Sequence, residues 1–335
     1  MAGIQEIADL TGLSKATVSR ALRGLPVVAP STVVAVRDAA ESLGYIPSAS
    51  ASGLATGRNR AIGVIVPTFD RWFYSQVLDG VDRELRQRGY DLIVYNLGDG
   101  AGDRDRVFHR SILRHRVDAL ILLALTFSLE EREQLRQTEY PTIAVGGPGP
   151  GMRHIGIDDY QASFLAVGHL VDLGHQRIAL IGGVDDKGLN DSVPRNRLSG
   201  FQAVLAMAGL TARPEWIVDG HYRFTSAYEA TRKLFADRSD RPTALFCASD
   251  EMAFGAIAAL TALGLRVPRD VSIVGIDGHE VGESLGLTTI AQFPVEQGRR
   301  AARQVLDELD GAPFEAAFDS APFEFVLRTS TAPPA

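Results

Sequence analysis

The sequence predicts a small all-α head followed by a larger α/β body, which has two lobes and a ligand cleft between them. At 335 residues the chain exceeds one ordinary domain, since domains commonly hold about 100–200 residues. Short apolar stripes with helical spacing fill residues 1–46. After residue 60, apolar runs of strand length alternate with helical stretches, which is the pattern of parallel sheets covered on both faces.

The head is predicted to contain three short helices. Their apolar stripes run through residues 4–10, 18–22 and 33–43. Gly12 suits the left-handed conformation that ends a helix. Ser14 is placed to cap the second helix by accepting a hydrogen bond from the amide of Thr17. Two short helices therefore meet at a tight glycine turn, and Pro30 opens the third.

The outer face of the second helix carries small residues and two long basic ones, Lys15 and Arg20. A helix that enters the DNA major groove needs small residues for close approach and long donors that reach base edges. Arg20 suits a bidentate contact with guanine. By composition alone, a plain three-helix bundle with a solvated face explains these residues equally well.

Charge is unevenly distributed along the chain. Residues 1–60 hold six basic and four acidic side chains, whereas the remainder holds 28 basic and 37 acidic ones. Local positive charge attracts nucleic acid. The excess in the head is small, but its sign favours contact with DNA.

Two segments carry a resemblance to the helix-turn-helix head of the LacI/GalR family of bacterial repressors: IQEIADLTGLSKATVSRALRG and ESLGYIPSASASGLATGR. The resemblance implies base contacts from Lys15, Ala16 and Arg20. It also implies phosphate contacts from five hydroxyl-bearing residues, which are Ser14, Thr17, Ser19, Thr32 and Tyr45. Family members often carry Thr or Ser where this chain has Gly3, so we expect a less well capped first helix.

Residues 47–60, PSASASGLATGRNR, have the composition of a linker, because Ser and Gly are poor helix formers. Leu54 is the one large apolar residue in it. In the resembling family this segment is a hinge helix that forms when two protomers bind DNA, and its leucine enters the minor groove. Ordering on binding and a leucine wedge are both physically reasonable. Small residues at 48, 50, 52 and 53 predict a floppy hinge off DNA.

Seven apolar runs in the body have the length of strands. They are IGVIVP (62–67), DLIVYN (91–96), ALILLA (119–124), PTIAVG (141–146), RIALIGG (177–183), ALFCAS (244–249) and SIVGID (272–277). One parallel sheet needs about five strands, so these runs supply roughly two sheets. Two Rossmann-like lobes follow, with ligand residues expected at the carboxyl ends of strands.

The body is similar to the periplasmic-binding-protein type of fold that LacI/GalR regulators share. The similarity lies in HLVDLGHQRIALIGG, RNRLSGFQAVL and SDEMAFGAIAALTALGLRVPRDVSIVGID. With the head it covers about residues 3–330. It implies a DNA-binding domain at 1–46, a hinge at 47–60, and an effector-binding and dimerisation domain at 61–330. The chain is expected to cross between lobes near 160, 290 and 320.

Aromatic candidates for the ligand site follow the first strand of the body, in TFDRWFY. The resemblance places ligand-stacking rings at Phe73 and Tyr74, although packing against the sheet is an alternative for at least one of the three consecutive aromatics. Arg71 and Trp72 stand where the family commonly has Asn and Pro. We therefore expect a distinct ligand or a different mouth to the cleft.

Four further residues match the effector site of the family. Arg197 corresponds to an arginine that grips the effector, with a surface ion pair as the alternative. Asp250 lies between a strand and a helix, where it accepts from ligand hydroxyls or simply caps the helix. Tyr222 and Asp277 are matched less closely. We expect Arg197 and Asp250 to form one clamp, because an arginine only donates and a carboxylate only accepts. Such a site suits a sugar.

The sequence offers no catalytic or metal site, and we expect no cofactor. The seven histidines lack metal-binding spacing. The glycine-rich run at 146–151 lacks the lysine of a phosphate loop, and no G-x-S-x-G elbow occurs. Cys247 is the single cysteine, which excludes an intramolecular disulfide. It is predicted to be a buried strand residue. We therefore expect a protein that is not an enzyme.

The sequence thus predicts a repressor that binds a pseudo-palindromic double-stranded DNA operator as a homodimer, under the control of a small-molecule effector, expected to be a carbohydrate. An activator or a purine-corepressed repressor is the alternative within the family. A sugar-binding protein without DNA function is the alternative from another class, and the head argues against it.

The same residues predict where the protein acts. No apolar run approaches the roughly 20 residues that span a bilayer, and the first residues lack the plan of a signal peptide. We expect a cytoplasmic protein without a membrane partner, associated with the nucleoid when bound to its operator. The final RTSTAPPA contains no heptad run, which favours a dimer over a tetramer.

Overall fold

The computed structural model describes residues 3–22, 24–45, 58–98, 101–109, 116–125, 127–147, 152–183, 192–237, 240–313 and 318–335. The chain forms two compact units, Met1–Asn59 and Arg60–Ala335. The first unit, the head, and the second, the body, have separate hydrophobic cores.

The head contains three helices in its described part: α1 Ile4–Thr11, α2 Lys15–Leu22 and α3 Pro30–Ser42. They bury a small core of Ile7, Val18, Val36 and four alanines (Ala8, Ala21, Ala39 and Ala40). The apolar stripes of the sequence predict most of this core, but Leu10, at the end of the first stripe, is 58% exposed.

The turn between the first two helices has the predicted geometry. Gly12 ends α1 in the left-handed region, with φ 68°. Ser14 Oγ accepts a hydrogen bond from the amide of Thr17 at 3.1 Å and so caps α2. Gly3 supplies no side-chain cap to α1, as expected, but Glu6 Oε2 accepts from the Gly3 amide at 2.8 Å.

The described part of the body contains helices and strands in alternation. The strands are β1 Ala61–Val66, β2 Asp91–Asn96, β3 Ala119–Leu123, β4 Thr142–Val145, β5 His154–Gly156, β6 Ile178–Gly182, β7 Ile217–Asp219, β8 Ala244–Cys247, β9 Ser272–Asp277, β10 Thr288–Ala291, β11 Phe318–Ser320 and β12 Glu324–Val326. The helices are α4 Trp72–Gln87, α5 Ala101–His109, α6 Leu129–Gln137, α7 Asp159–Asp172, α8 Ser192–Met207, α9 Phe224–Leu234, α10 Asp250–Ala262, α11 Glu280–Ser284 and α12 Pro294–Leu309.

These strands form two six-stranded sheets. The first has the order β11-β5-β4-β3-β1-β2 and is parallel throughout. The second has the order β12-β10-β9-β8-β6-β7 and is parallel except for the pair β10–β12. We call the first sheet with its helices the N-lobe and the second the C-lobe. Both sheets are mainly parallel and alternate with helices along the chain. The predicted α/β fold class of the body is therefore confirmed.

The chain passes between the two sheets three times in the body. It leaves the N-lobe between β5 and α7, returns between β10 and α12, and leaves again between β11 and β12. Helix α12 packs on α4 and on the N-lobe sheet, whereas α7 packs on α8 and on the C-lobe sheet. The ligand candidates follow five strands along the chain: Phe73 and Tyr74 come after β1, Arg197 after β6, Tyr222 after β7, Asp250 after β8, and Asp277 ends β9.

All seven apolar runs of the body form strands at or within about two residues of their predicted bounds. Cys247 is buried in β8, as predicted. The sequence did not predict β5, β7, β10, β11 and β12. These strands have only three or four residues, too few for a periodic pattern to emerge.

Candidate DNA-binding face and effector cleft

Helix α2 presents a polar face opposite to the side that it buries. Val18 and Ala21 lie in the core of the head, whereas Lys15, Ala16 and Arg20 are exposed. Small side chains therefore surround two long cations on a surface free to approach a duplex. This is the arrangement that a major-groove helix requires.

The hydroxyl-bearing candidates of the head occupy two kinds of environment. Ser14 is exposed and lies 2.9 Å from the hydroxyl of Thr17, with which it shares a hydrogen bond. Ser19 and Thr32 are half-buried, and Tyr45 packs against the core of the head. The hinge candidate Leu54 lies outside the described residues.

Arg197 lies in α8 and is 5% exposed, inside the C-lobe. Its Nε and Nη2 lie 2.8 and 2.7 Å from Asp159 Oδ1, and its Nη1 donates to the carbonyl of Ala248 just after β8. Burial alone would lower the pKa of Arg197, but the Asp159 carboxylate outweighs it and raises that pKa. The guanidinium is therefore a fixed cation whose remaining N–H groups can meet a ligand.

Asp250, which is expected to clamp a ligand together with Arg197, is bonded within the C-lobe to residues other than Arg197. Asp250 is fully buried. Its Oδ1 accepts from Thr289 Oγ1 at 2.7 Å, and its Oδ2 accepts from the amide of His279 at 2.8 Å. Both carboxylate oxygens of Asp250 therefore accept hydrogen bonds inside the C-lobe. The carboxylate bonded to Arg197 is that of Asp159.

Asp277 is the last residue of β9 and is 6% exposed. Its Oδ1 accepts from Gln292 Nε2 at 2.6 Å, and its Oδ2 accepts from the amide of Asp250 at 3.2 Å. Burial and the neighbouring Asp250 raise the pKa of Asp277, and burial raises the pKa of Asp250 to about 6. Burial makes the charged form of each carboxyl costly, so both keep their protons to a higher pH than an exposed aspartate does.

Tyr222 brings the cluster together. Its hydroxyl is buried and, within the described part of the chain, has no hydrogen-bond partner. Its ring lies so close to Gly183 that a Cβ at that position would overlap it. Burial raises the pKa of Tyr222, and the charged groups that act on it include Arg197, Asp159 and Asp277. One cation and two carboxyl groups thus act electrostatically on an unsatisfied buried oxygen.

The N-lobe contributes aromatic rings to the same region. Phe73 and Tyr74 open α4 and are half-buried against the core of the body. Their centroids are 6.0 Å apart at an interplanar angle of 72°. Tyr74 is close enough to Tyr222 to influence its pKa. Phe73 and Tyr74 therefore come from the N-lobe, whereas Arg197, Tyr222 and Asp277 come from the C-lobe.

Asp159 is the residue that sequence reasoning missed. It follows Asp158 at the start of α7, and a pair of acidic residues there has the usual pattern of a helix cap. Only Asp158 serves as the cap, since its Oδ1 accepts from the amide of Gln161 at 3.0 Å. The signal available in the sequence was the second carboxylate, that of Asp159, which the helix cap does not need. A buried arginine also requires a counter-ion.

The part of the chain that the structure describes was compared with the requirements of a metal site and of a membrane span through its own residues. Among them, no group of three or more His, Cys, Asp or Glu side chains is arranged to hold a metal ion. Across the same ranges, no helix has both the length and the apolar character that crossing a membrane demands.

Two family models match the chain. One, described as bacterial regulatory proteins of the lacI family, matches residues 3–48, and the other, a periplasmic binding protein-like domain, matches residues 167–331. The HTH-type transcriptional repressor PurR of Vibrio vulnificus (strain CMCP6) is 34% identical over 314 residues, which cover 92% of each chain. The catabolite control protein A of Priestia megaterium is 31% identical over 332 residues, which cover 98% of each.

Solved structures give the same result. The crystal structure of the Lac repressor dimer bound to operator and the anti-inducer ONPF matches with a TM-score of 0.86 at 26% identity, covering 99% of each chain. The complex of the transcriptional regulator CelR with cellobiose matches with a TM-score of 0.72 at 27% identity, covering 98% of this chain and 100% of that one. The relatives are transcriptional regulators and not enzymes. With a lacI-type head, a binding-protein-like body and relatives that span nearly the whole sequence, the chain belongs to the LacI family and is a DNA-binding transcriptional repressor.

Proposed function

We propose that this repressor binds a pseudo-palindromic operator as a homodimer, and that a small molecule in the cleft between its two lobes controls its affinity for DNA. One observation carries the proposal. The buried hydroxyl of Tyr222 has no partner within the described residues, yet the charges of Arg197 and Asp277 act on its pKa. Leaving a buried polar group unpaired costs about 1–3 kcal/mol, so a polar ligand that satisfies it gains affinity from a site already built.

The roles that we propose in the cleft follow from exposure and bonding. Arg197 donates from the N–H groups that Asp159 and Ala248 do not use. Asp277 and Tyr222 supply polar groups beside it, and Phe73 and Tyr74 supply apolar faces from the N-lobe. Asp250 positions Asp277 through its amide. In both residues each carboxylate oxygen accepts one hydrogen bond within the C-lobe, which leaves lone pairs that can accept from a ligand hydroxyl.

A carbohydrate is the effector that we propose first. Its hydroxyls both donate and accept, as a cluster of one arginine, one tyrosine and carboxyl groups requires. Its C–H faces pack on single aromatic rings. Phe73 and Tyr74 are inclined at 72°, so they cannot both stack on one flat base. The complex of CelR with cellobiose supports the same class of ligand.

A purine is the second candidate, and its support comes from relatives. Several of them carry the name PurR and match 92–98% of this chain. One ring of the N-lobe would stack on the base, while Arg197 and Asp277 would bind its edge. In this case the small molecule would act as a corepressor that tightens operator binding.

We propose that the face of α2 formed by Lys15, Ala16 and Arg20 binds base edges in the major groove. The hydroxyls of Ser14, Thr17, Ser19, Thr32 and Tyr45 then bind phosphates, and Leu54 enters the minor groove between two hinge segments. These contacts are of the kind that position a helix and specify sequence. A protein with this task works in the cytoplasm, on the nucleoid when bound to its operator.

A thermal-shift screen of the full chain tests the effector proposal. The panel contains glucose, cellobiose, adenine, hypoxanthine and guanine. A ligand at a hundredfold its Kd adds about 2.7 kcal/mol of apparent stability. Operator affinity measured with and without the compound that stabilises the protein then gives the sign of the control. If sugars and bases all leave the melting temperature unchanged, the proposed classes of effector are wrong.

A further inference from the structure

The chain from the end of β1 to the start of α4 reaches across from the N-lobe to the C-lobe at residues 71 and 72. Arg71 and Trp72 stand where the resembling family commonly has Asn and Pro, and both contact the other lobe. We propose that Arg71 and Trp72 form a clasp that holds the lobes together, and that Arg71 is a positioning residue for Tyr222. The inference rests on the proposed function in one respect, that Tyr222 is a residue of the effector site.

Arg71 is almost enclosed between the lobes, with its side chain 11% exposed. Its guanidinium donates to two consecutive backbone carbonyls of the C-lobe, those of His221 and Tyr222. The bond to His221 measures 2.8 Å. Two parallel donors on a rigid fork suit two adjacent carbonyls, a geometry that the single ammonium of lysine does not reproduce.

The two carbonyls belong to an unusual turn. His221 and Tyr222 have φ values of 49° and 52°, in the left-handed region that few residues other than glycine adopt. Such conformations persist where the surroundings hold them. Inside the C-lobe, the amides of residues 221 and 223 bond to Asp219 Oδ1 and to the Gly220 carbonyl at 2.8 and 2.9 Å. The carbonyl side of the turn is bound by Arg71 of the N-lobe.

Trp72 makes a second, separate contact with the C-lobe. Its Nε1 donates to Glu280 Oε2 at 2.7 Å, and its ring stacks on His279 with centroids 4.5 Å apart at 22°. Phe254 of α10 packs edge-on against His279 at 5.1 Å. Adjacent residues of the N-lobe therefore grip two different loops of the C-lobe, which is a two-point attachment.

A neighbouring pair between the lobes provides a matched contrast. Asp70 and Arg223 form an ion pair at 2.7 Å, but their side chains are 51% and 42% exposed. Exposed pairs of this kind contribute little to stability. Removing the Arg223 guanidinium therefore deletes a contact between the lobes at the same place without opening the clasp.

The clasp links the cleft to the angle between the lobes. The backbone of Tyr222 is fastened to the N-lobe through Arg71, while its hydroxyl lies among the charged groups of the C-lobe. A molecule that engages this hydroxyl acts on the residue that the N-lobe holds. Occupancy of the cleft and the relative position of the lobes are therefore coupled through one side chain and its own backbone.

Hydrogen exchange in the full-length protein, without any small molecule, tests the positioning role. We expect Arg71→Ala to speed exchange of the amides of residues 221 and 223 by at least about tenfold, because hydrogen bonds from a charged group are worth about 1.5–3 kcal/mol. Arg71→Lys should show a smaller increase, and Arg223→Ala none. Amides of α7 should exchange as in the wild type in every variant. Unchanged exchange at 221 and 223 in Arg71→Ala would overturn the proposal.

Fluorescence of Trp72 provides a second test of the clasp. An added guanidinium compound would not reverse a defect that is merely one of local packing. The chain has two tryptophans, so Trp216→Phe leaves Trp72 as the only one. In that background, Arg71→Ala should shift Trp72 emission to the red and increase its quenching by iodide. Added methylguanidinium should reverse both changes, as well as the faster exchange. Failure of this rescue, together with wild-type emission in Arg71→Lys, would refute the clasp. Since no effector is present, an error in the proposed function leaves these results unaffected.

Discussion

Replacing Tyr222 with phenylalanine should separate ligand binding from folding. The change removes one buried oxygen that has no partner in the described part of the chain, and it keeps the ring against Gly183. An unpaired buried polar group costs about 1–3 kcal/mol. We therefore expect the free energy of unfolding without effector to rise by about 1 kcal/mol, and the melting temperature by about 2 °C. Most substitutions that delete a polar group from a protein interior have the opposite sign.

The same variant should bind its effector less tightly. A neutral hydrogen bond contributes about 0.5–1.5 kcal/mol, which corresponds to roughly a threefold to tenfold increase in Kd. Urea unfolding followed by circular dichroism measures the first effect, and calorimetric titration with the compound found in the thermal-shift screen measures the second. Tyr228→Phe, in α9, is the matched control and should alter neither. A Tyr222→Phe protein that is less stable than the wild type, or that binds as tightly, would refute the assignment of this hydroxyl to the site.

Three further outcomes follow from the head, the hinge and the buried carboxyls. Arg20→Ala should weaken the free energy of binding by roughly 1–3 kcal/mol on the duplex that the wild type selects from a random pool, and only slightly on unrelated DNA. Equal losses on both would mean that Arg20 contacts only phosphate. Leu54→Ala should leave unfolding unchanged but weaken binding to that duplex and reduce its bend, so an unaltered bend would make the segment a passive linker. Asp250 and Asp277 have pKa values raised by burial, so the folded state binds more protons than the unfolded one. Stability should then fall as pH rises from the ordinary aspartate value of 3.8 through about 6 for Asp250, and further for Asp277, by at most about 1.4 kcal/mol per pH unit for each group, and Asp277→Asn should flatten that slope in urea unfolding.

Much of the fold could be predicted because its signals are local. The long strands of both sheets are continuous apolar runs, and the turn of the head is fixed by Gly12 and Ser14 over a few residues. The short strands carry no such signal. Strand β5 has three residues and β10 has four, and each exists because neighbouring strands supply hydrogen-bond partners. Their presence is a property of the sheet and not of the segment.

The composition of the cleft was less predictable, because distant residues meet there. The resemblance suggested that Arg197 and Asp250 would bind one ligand together. In the fold, Ser249 caps α10 by accepting from the amide of Met252. Asp250 is therefore the first helical residue, and its carboxylate turns toward β10. The partner of Arg197 comes from α7, 38 positions earlier in the chain, at a site that a local pattern assigns to capping.

Arg71 shows how a departure from a family pattern can be informative without being interpretable from sequence. The replacement of Asn and Pro by Arg and Trp indicated a different mouth to the cleft. Sequence could not say that the arginine would turn away from solvent and bind carbonyls 150 and 151 positions later. Such a contact depends on the angle between two lobes, and no periodicity within either lobe encodes that angle.

The division of the cleft between the lobes constrains how an effector can act. Phe73 and Tyr74 belong to the N-lobe, whereas Arg197, Asp277 and the Tyr222 ring belong to the C-lobe. A ligand shifts an equilibrium only by the difference in its affinity for the two states. Contacts with one lobe alone remain the same at every lobe angle and contribute nothing to control. Control therefore requires that a ligand touch both sets, or that it act on Tyr222, the one candidate that Arg71 ties to the other lobe. An effector that reaches this hydroxyl would need no direct contact with the N-lobe, because Arg71 already ties the backbone of Tyr222 to that lobe.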